Sequence, residues 1–187
     1  MELHGYLSIA VTLFYTATLL HLAGGLTTVI KKESAYSVHI LSIFAVFLYT
    51  IQSFWTTWAH NNVEWTSWKF FVAIVEPALY YFLAAILIPN DAESVKSWKI
   101  YFYKVKNKYY FILLLLLINI QTSGFILLEL NPFTPSQLPA LLGIIPLIIA
   151  LKSNKHIIHL IIMILYIAMG LFIMSTIGYQ PGWLLNQ

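Results

Sequence analysis

The chain is a succession of apolar runs, most of them about as long as a bilayer is thick, and that length restricts what it can fold into. A helix rising about 1.5 Å per residue needs roughly 20 apolar residues to cross hydrocarbon. Only helices and closed barrels satisfy their own backbone there. Six segments fit, at 5–30, 36–60, 68–89, 108–130, 134–151 and 155–178. We therefore expect an all-α, polytopic integral membrane protein: one domain over 1–187 built as a bundle of six transmembrane helices. With 60% hydrophobic and 9% charged residues, too few polar groups exist to cover a water-soluble globule. The opening Met1-Glu2-Leu3-His4 carries an acid where a secretory signal would carry positive charge, and its apolar run is too long for one. The first run therefore reads as an uncleaved helix.

The lysines orient the bundle. Nine of the ten fall in alternate gaps: Lys31 and Lys32 in the first, Lys96, Lys99, Lys104, Lys106 and Lys108 in or beside the third, and Lys152 and Lys155 in the fifth. By the positive-inside rule these gaps face the cytoplasm and both termini face out. Trp55, Trp58, Trp65, Trp68 and Trp183 then fall near the outer surface, and Trp98, Tyr101, Tyr103, Tyr109 and Tyr110 near the inner one, as two interfacial aromatic belts. The fifth segment is the weak one, short and interrupted by Pro139 and Pro146, and a re-entrant hairpin is its rival reading. Spanning keeps Lys152 and Lys155 on the side of the other lysines. Residues 91–108 interleave lysines with Trp98, Ile100, Tyr101, Phe102 and Val105, the pattern of an amphipathic segment lying on anionic lipid headgroups. The partners expected are the bilayer itself and a homo-oligomer or another membrane protein, with no nucleic acid, since the net charge of +3 is explained by topology.

Several chemistries are excluded. Cysteine is absent, which removes disulfides, Fe–S clusters and thiol catalysis, and arginine is absent, which removes bidentate phosphate clamps. No lysine lies in mid-membrane for a retinal Schiff base, and no Walker A loop or GxSxG elbow is present.

Polar groups at membrane depth are the candidate site, because each costs several kcal/mol unless satisfied. Glu76 is the sharpest: counted from Lys69 it lies about 10 Å inside the third segment, with Pro77 directly after it weakening the backbone ladder. It serves either as a relay for protons or cations or as a neutral acid in one structural hydrogen bond. Gln52 and Ser53 in the second segment, and Asn119, Gln121, Thr122 and Ser123 in the fourth, can glue helices or line a wet cavity. A polar path through Glu76, Gln52, Asn119 and Gln121 is the first reading. The second rests on His21, His39, His156 and His159, which share the cytoplasmic half. His156 and His159, spaced i, i+3, can supply two metal ligands with His39 or His21 as a third, or a pair on two helices can hold haem. Against it, the histidines serve as packing and interfacial residues, and no histidine-box spacing is present. No cofactor is the first expectation, with haem or a divalent metal as the alternative. Ala17, Thr18, His21, Gly24, Gly25 and Thr28 form a stripe of small and polar residues suited to close helix packing.

Between Val38 and Asp91 the order of features Gln52-Ser53-Phe54-Trp55-Thr56-Thr57-Trp58, Val63-Glu64-Trp65, Pro77-Ala78-Leu79-Tyr80-Tyr81-Phe82-Leu83-Ala84-Ala85 and Leu87-Ile88-Pro89-Asn90-Asp91 resembles an uncharacterised family of small bacterial multispanning membrane proteins. The likeness departs at Phe54-Trp55, where two adjacent tryptophans are usual, and at Glu76, where that family carries no acid. It implies a bacterial cytoplasmic (inner) membrane and no activity. The functional expectation is a non-enzymatic component that works by association or by passing a small solute or ion, with a haem- or metal-binding redox protein as the alternative.

Overall fold

The computed structural model describes residues 3–31 and 35–177, with side chains placed over 5–30 and 35–175. Lys32, the Lys31 side chain and the tail from Gly178, with Trp183, lie outside the described residues. Six helices form: α1 (Leu3–Lys31), α2 (Ser37–Thr56), α3 (Ser67–Leu87), α4 (Trp98–Leu128), α5 (Leu138–Lys152) and α6 (His156–Phe172). A 3-10 turn over Thr57–Asn62 prolongs α2, and a π turn over Ile173–Ile177 prolongs α6. No strand occurs among the described residues. All helices except α5, which has 15 residues, belong to the five that are long and apolar enough to cross a membrane.

Local chemistry sets several boundaries. The Thr66 hydroxyl accepts from the Lys69 N–H at 3.2 Å and starts α3. Ser97 does the same for α4, accepting from Ile100 at 3.4 Å, each occupying one of the donors a helix start leaves unpaired. α4 therefore begins at Trp98 rather than near 108. Residues 98–108 are its first turns and not a separate segment lying in the membrane plane. The reason is packing: Trp98, Phe102, Lys106 and Tyr109 recur at helical spacing and are buried against the other helices. Lys96, Lys99, Lys104 and Lys108 remain exposed. The inner aromatic belt is corrected in the same way, since Trp98, Tyr109 and Tyr110 are at most 1% exposed and face protein.

Neighbouring helices close a ring in the order α1, α3, α4, α5, α6, α2. α2 also touches α3, which leaves α1 peripheral. Chain direction alternates. At one end His21 of α1 meets the Ile88 carbonyl after α3, Tyr36 before α2 meets His156 of α6, and Lys106 of α4 meets the end of α5. This lysine end gathers all four candidate histidines. The opposite end holds Thr57, His60, Trp65 and the α4–α5 connection.

That connection settles how the fifth segment runs. α4 stops at Glu129, a non-glycine residue in the left-handed region with φ 55°, and its N–H and that of Leu130 both return to the Gly124 carbonyl. The chain then turns inward, so that the Gln121 side-chain amide donates to the Gln137 carbonyl at 2.6 Å, about 10 Å inside the end of α4. From there α5 runs antiparallel to α4 and stays helical through Pro146. At its end Lys106 donates to the Leu151 carbonyl at 3.3 Å and the Ser153 carbonyl at 3.0 Å. Lys152 and Lys155 thus share the end of the other described lysines of α4. α5 is short because its first turn is replaced by the inward loop.

Candidate functional site

Five of the six helices enclose a cavity of about 160 Å³, an order of magnitude above the roughly 10–15 Å³ that one water needs. α1 contributes nothing to its wall. The cavity is elongated: on α4 it runs from Tyr109 to Leu128, and on α2 from Ala45 to Thr56, with Thr57 and His60 beyond. It therefore reaches the end opposite the lysines and stops at Tyr109 short of the lysine end.

Two of the four path residues lie on this wall. Glu76 stands one turn before Tyr80, and Gln52 lies on the facing helix beside Ser53. The Ser53 hydroxyl donates to Tyr80 at 2.9 Å, and the Tyr15 and Ser53 hydroxyls lie beside the Glu76 carboxyl. Asn119 and Gln121 are not on the wall. Gln121 turns to the Gln137 carbonyl instead, because a residue two positions before Ser123 on a helix faces about 160° away from it. The wall also carries residues absent from the path reading: Ser123, His60 and Gln137. Gln137 sits in a loop rich in Asn, Pro, Thr and Ser, where a polar side chain gives no signal of burial.

The polar groups divide by depth. Toward the end opposite the lysines, Gln52 Oε1, Ser123 Oγ and Gln137 Oε1 are buried and have no hydrogen-bond partner among the described residues. Ser123 is 8% exposed and Gln137 4%. Deeper in, each hydroxyl is engaged by the protein. Tyr49 donates to the Tyr166 carbonyl at 2.8 Å, Tyr166 to the Gly143 carbonyl at 2.5 Å, and Tyr109 to Met163 Sδ at 3.8 Å. Ala45, Val46, Leu113, Leu116 and Leu117 make up much of the remaining deep wall.

Below the cavity floor the lysine end is closed by aromatic and imidazole rings. His39 stacks on Trp98 at 4.9 Å between centroids, and His159 stacks on Tyr110 at 5.5 Å. The Phe102 ring presents to both histidines, 6.2 Å from His39 and 5.6 Å from His159. His156 Nδ1 meets the Tyr36 hydroxyl at 2.8 Å, His159 Nδ1 meets the Tyr110 hydroxyl at 2.9 Å, and His21 Nε2 meets the Ile88 carbonyl at 2.8 Å. The four share a depth but have four different partners. Among the described residues, no three His, Asp or Glu side chains converge as a metal-ligand set.

The fold and site together define a helical chain, with five helices long and apolar enough to cross a membrane, around an internal cavity. Comparison with known proteins found no matching family model, curated protein or solved structure.

Proposed function

We propose that the chain is a six-span protein of a bacterial cytoplasmic membrane, with both termini outside, that takes a small solute from the outer side into its internal cavity. It acts as a non-enzymatic membrane component and forms the outer half of a solute pathway. The observation that carries this reading is the cavity itself: an elongated space with Glu76 and Gln52 on its wall, reaching the end opposite the lysines and floored by Tyr109. Placing the lysine end in the cytoplasm makes the cavity outward-facing. Spanning by α5 at 15 residues, or about 22 Å, is completed by the inward loop 129–137, which occupies the outer leaflet depth. A solute is favoured over a bare ion because the deep wall is mostly aliphatic and aromatic, with few oxygens to replace an ion's hydration shell. Lys96, Lys99, Lys104 and Lys108 lie along anionic headgroups in this arrangement.

The test is flux into proteoliposomes holding the full chain. Wild type should raise permeability to small amines or alcohols above that of empty liposomes, and Glu76→Gln or Gln52→Leu should lower it several-fold. Wild-type flux equal to empty liposomes, or unchanged by both substitutions, contradicts the pathway.

A further inference from the structure

The ring of helices has one weak seam. Of the neighbouring pairs, α5 and α6 touch least, since α5 packs chiefly on α4 and α6 on α2. The two are joined at the lysine end by the short link Ser153-Asn154-Lys155. They are linked again midway, where the Tyr166 hydroxyl of α6 donates to the Gly143 carbonyl of α5 at 2.5 Å. Glycine is what admits the ring: a Cβ at 143 would stand 2.9 Å from the Tyr166 hydroxyl and 3.0 Å from Leu117. Beyond that latch, toward the end opposite the lysines, both helices still wall the cavity, α5 through Pro139 and Ala140 and α6 through Met169. Both also carry exposed apolar side chains, Leu142, Ile145 and Ile149 on α5 and Leu165, Leu171 and Phe172 on α6. A single layer of helix thus stands between the cavity and the surroundings of the bundle, which in a membrane are hydrocarbon.

α5 is also built to bend. Pro146 has no N–H for the Leu142 carbonyl one turn earlier, and Gly143 in the same stretch lowers helix propensity. Across the seam, α6 gives way after Phe172 to a π turn over Ile173–Ile177. The space behind the seam is walled by Leu113, Leu116, Leu117 and Met163, and the hydroxyls of Tyr49, Tyr109 and Tyr166 donate within the protein. It is also long and thin, about 160 Å³ drawn out over the roughly 28 Å of α4 between Tyr109 and Leu128. A compact cavity of about 150 Å³ holds one benzene ring, so the drawn-out shape suits a chain. We propose that α5 and α6 form a lateral gate, latched by Tyr166 on Gly143 and hinged at Gly143 and Pro146, through which the acyl chain of a membrane lipid enters the cavity. The inference rests on the cavity reading above, and adds an entrance from the bilayer and the apolar class of occupant that uses it.

The experiment is photolabelling of the full chain in phosphatidylcholine nanodiscs that include a phosphatidylcholine with a diazirine on its acyl chain, with adducts mapped by peptide mass spectrometry. Leu116 and Met163 lie on the cavity wall and are 3% and 1% exposed, so surrounding lipid does not reach them. Leu13 and Leu20 on α1 are exposed and serve as the reference. Wild type should carry adducts at Leu116 and Met163 as well as at the reference positions. Tyr166→Phe, which deletes the latching oxygen, should raise the cavity adducts several-fold relative to the reference, and Gly143→Ala, which displaces that oxygen, should act in the same direction. Tyr101→Phe removes a comparable hydrogen bond elsewhere, to the Ile86 carbonyl at 2.9 Å, and should leave the ratio unchanged. Adducts that appear only in the two seam variants support a gate that is shut at rest. Cavity adducts absent from all the proteins, unchanged by Tyr166→Phe, or raised as much by Tyr101→Phe overturn the proposal. Flux in the liposome assay without cavity adducts overturns the gate and leaves the pathway standing. Cavity adducts that rise in Tyr166→Phe, without flux, do the reverse.

Discussion

Two single residues hold the shape of the α4–α5 region at opposite ends. Glu129 adopts φ 55° and ψ 27°, a left-handed conformation that a side chain disfavours and glycine does not. Glu129→Gly should therefore raise stability by about 0.5–1 kcal/mol, measured by unfolding in mild detergent, and a loss of stability would contradict the strained-cap account. At the other end Lys106 is only 6% exposed, and its ammonium group caps the last carbonyls of α5, where a cation also meets the negative end of the helix dipole. Lys106→Met should cost about 1.5–3 kcal/mol, and Lys104→Met, exposed, should cost little. Glu76 and Gln52 were legible in the sequence because a polar residue stands out inside an apolar run. Gln137 was not, since among Asn131, Pro132, Thr134 and Ser136 a polar side chain is ordinary, and only the inward turn of the loop buries it. Lys106 was legible as charge and not as a cap, because charge counting carries no information about which helix end lies alongside.

Helix against helix, packing separates two adjacent glycines that look equivalent in sequence. A Cβ on Gly25 would overlap the Ile88 side chain, whereas one on Gly24 meets nothing within 4 Å. The small-residue stripe of α1 is thus split: Thr18, His21 and Gly25 turn toward the bundle, and Ala17 and Gly24 turn outward. Gly25→Ala should destabilise by about 1–3 kcal/mol, as overpacking does. Gly24→Ala should be neutral or gain up to about 1 kcal/mol from helix propensity. Comparable losses from both substitutions, in the same unfolding assay, would contradict the split. The helices themselves were read from their apolar lengths with small boundary errors, save the start of α4. There the lysines of 99–108 lower hydropathy, although the buried face through 98, 102, 106 and 109 keeps helical period. Only knowing what covers that face distinguishes a helix resting on lipid from one packed in protein.

For the whole molecule, the ring order and its off-centre cavity follow from which helix contacts which, and sequence depth alone does not encode that. It placed four histidines in one half of the bundle. The place of Phe102 beside both His39 and His159, and the pairing of the four with Trp98, Tyr110, Tyr36 and the Ile88 carbonyl, arise from packing. Likewise, residues at similar depth on α4 divide between cavity and neighbour, Ser123 to the one and Gln121 to the other. The central claim is a cavity reached from the outer side and shut toward the lysines. Because the chain contains no cysteine, single-cysteine labelling tests it without background. Gln52→Cys and His159→Cys proteins would be exposed to a membrane-impermeant thiol reagent in right-side-out and inverted vesicles. The account predicts that Gln52→Cys reacts from the outer side only and His159→Cys from neither. Reaction of Gln52→Cys from the lysine side, or its silence from both, would contradict it.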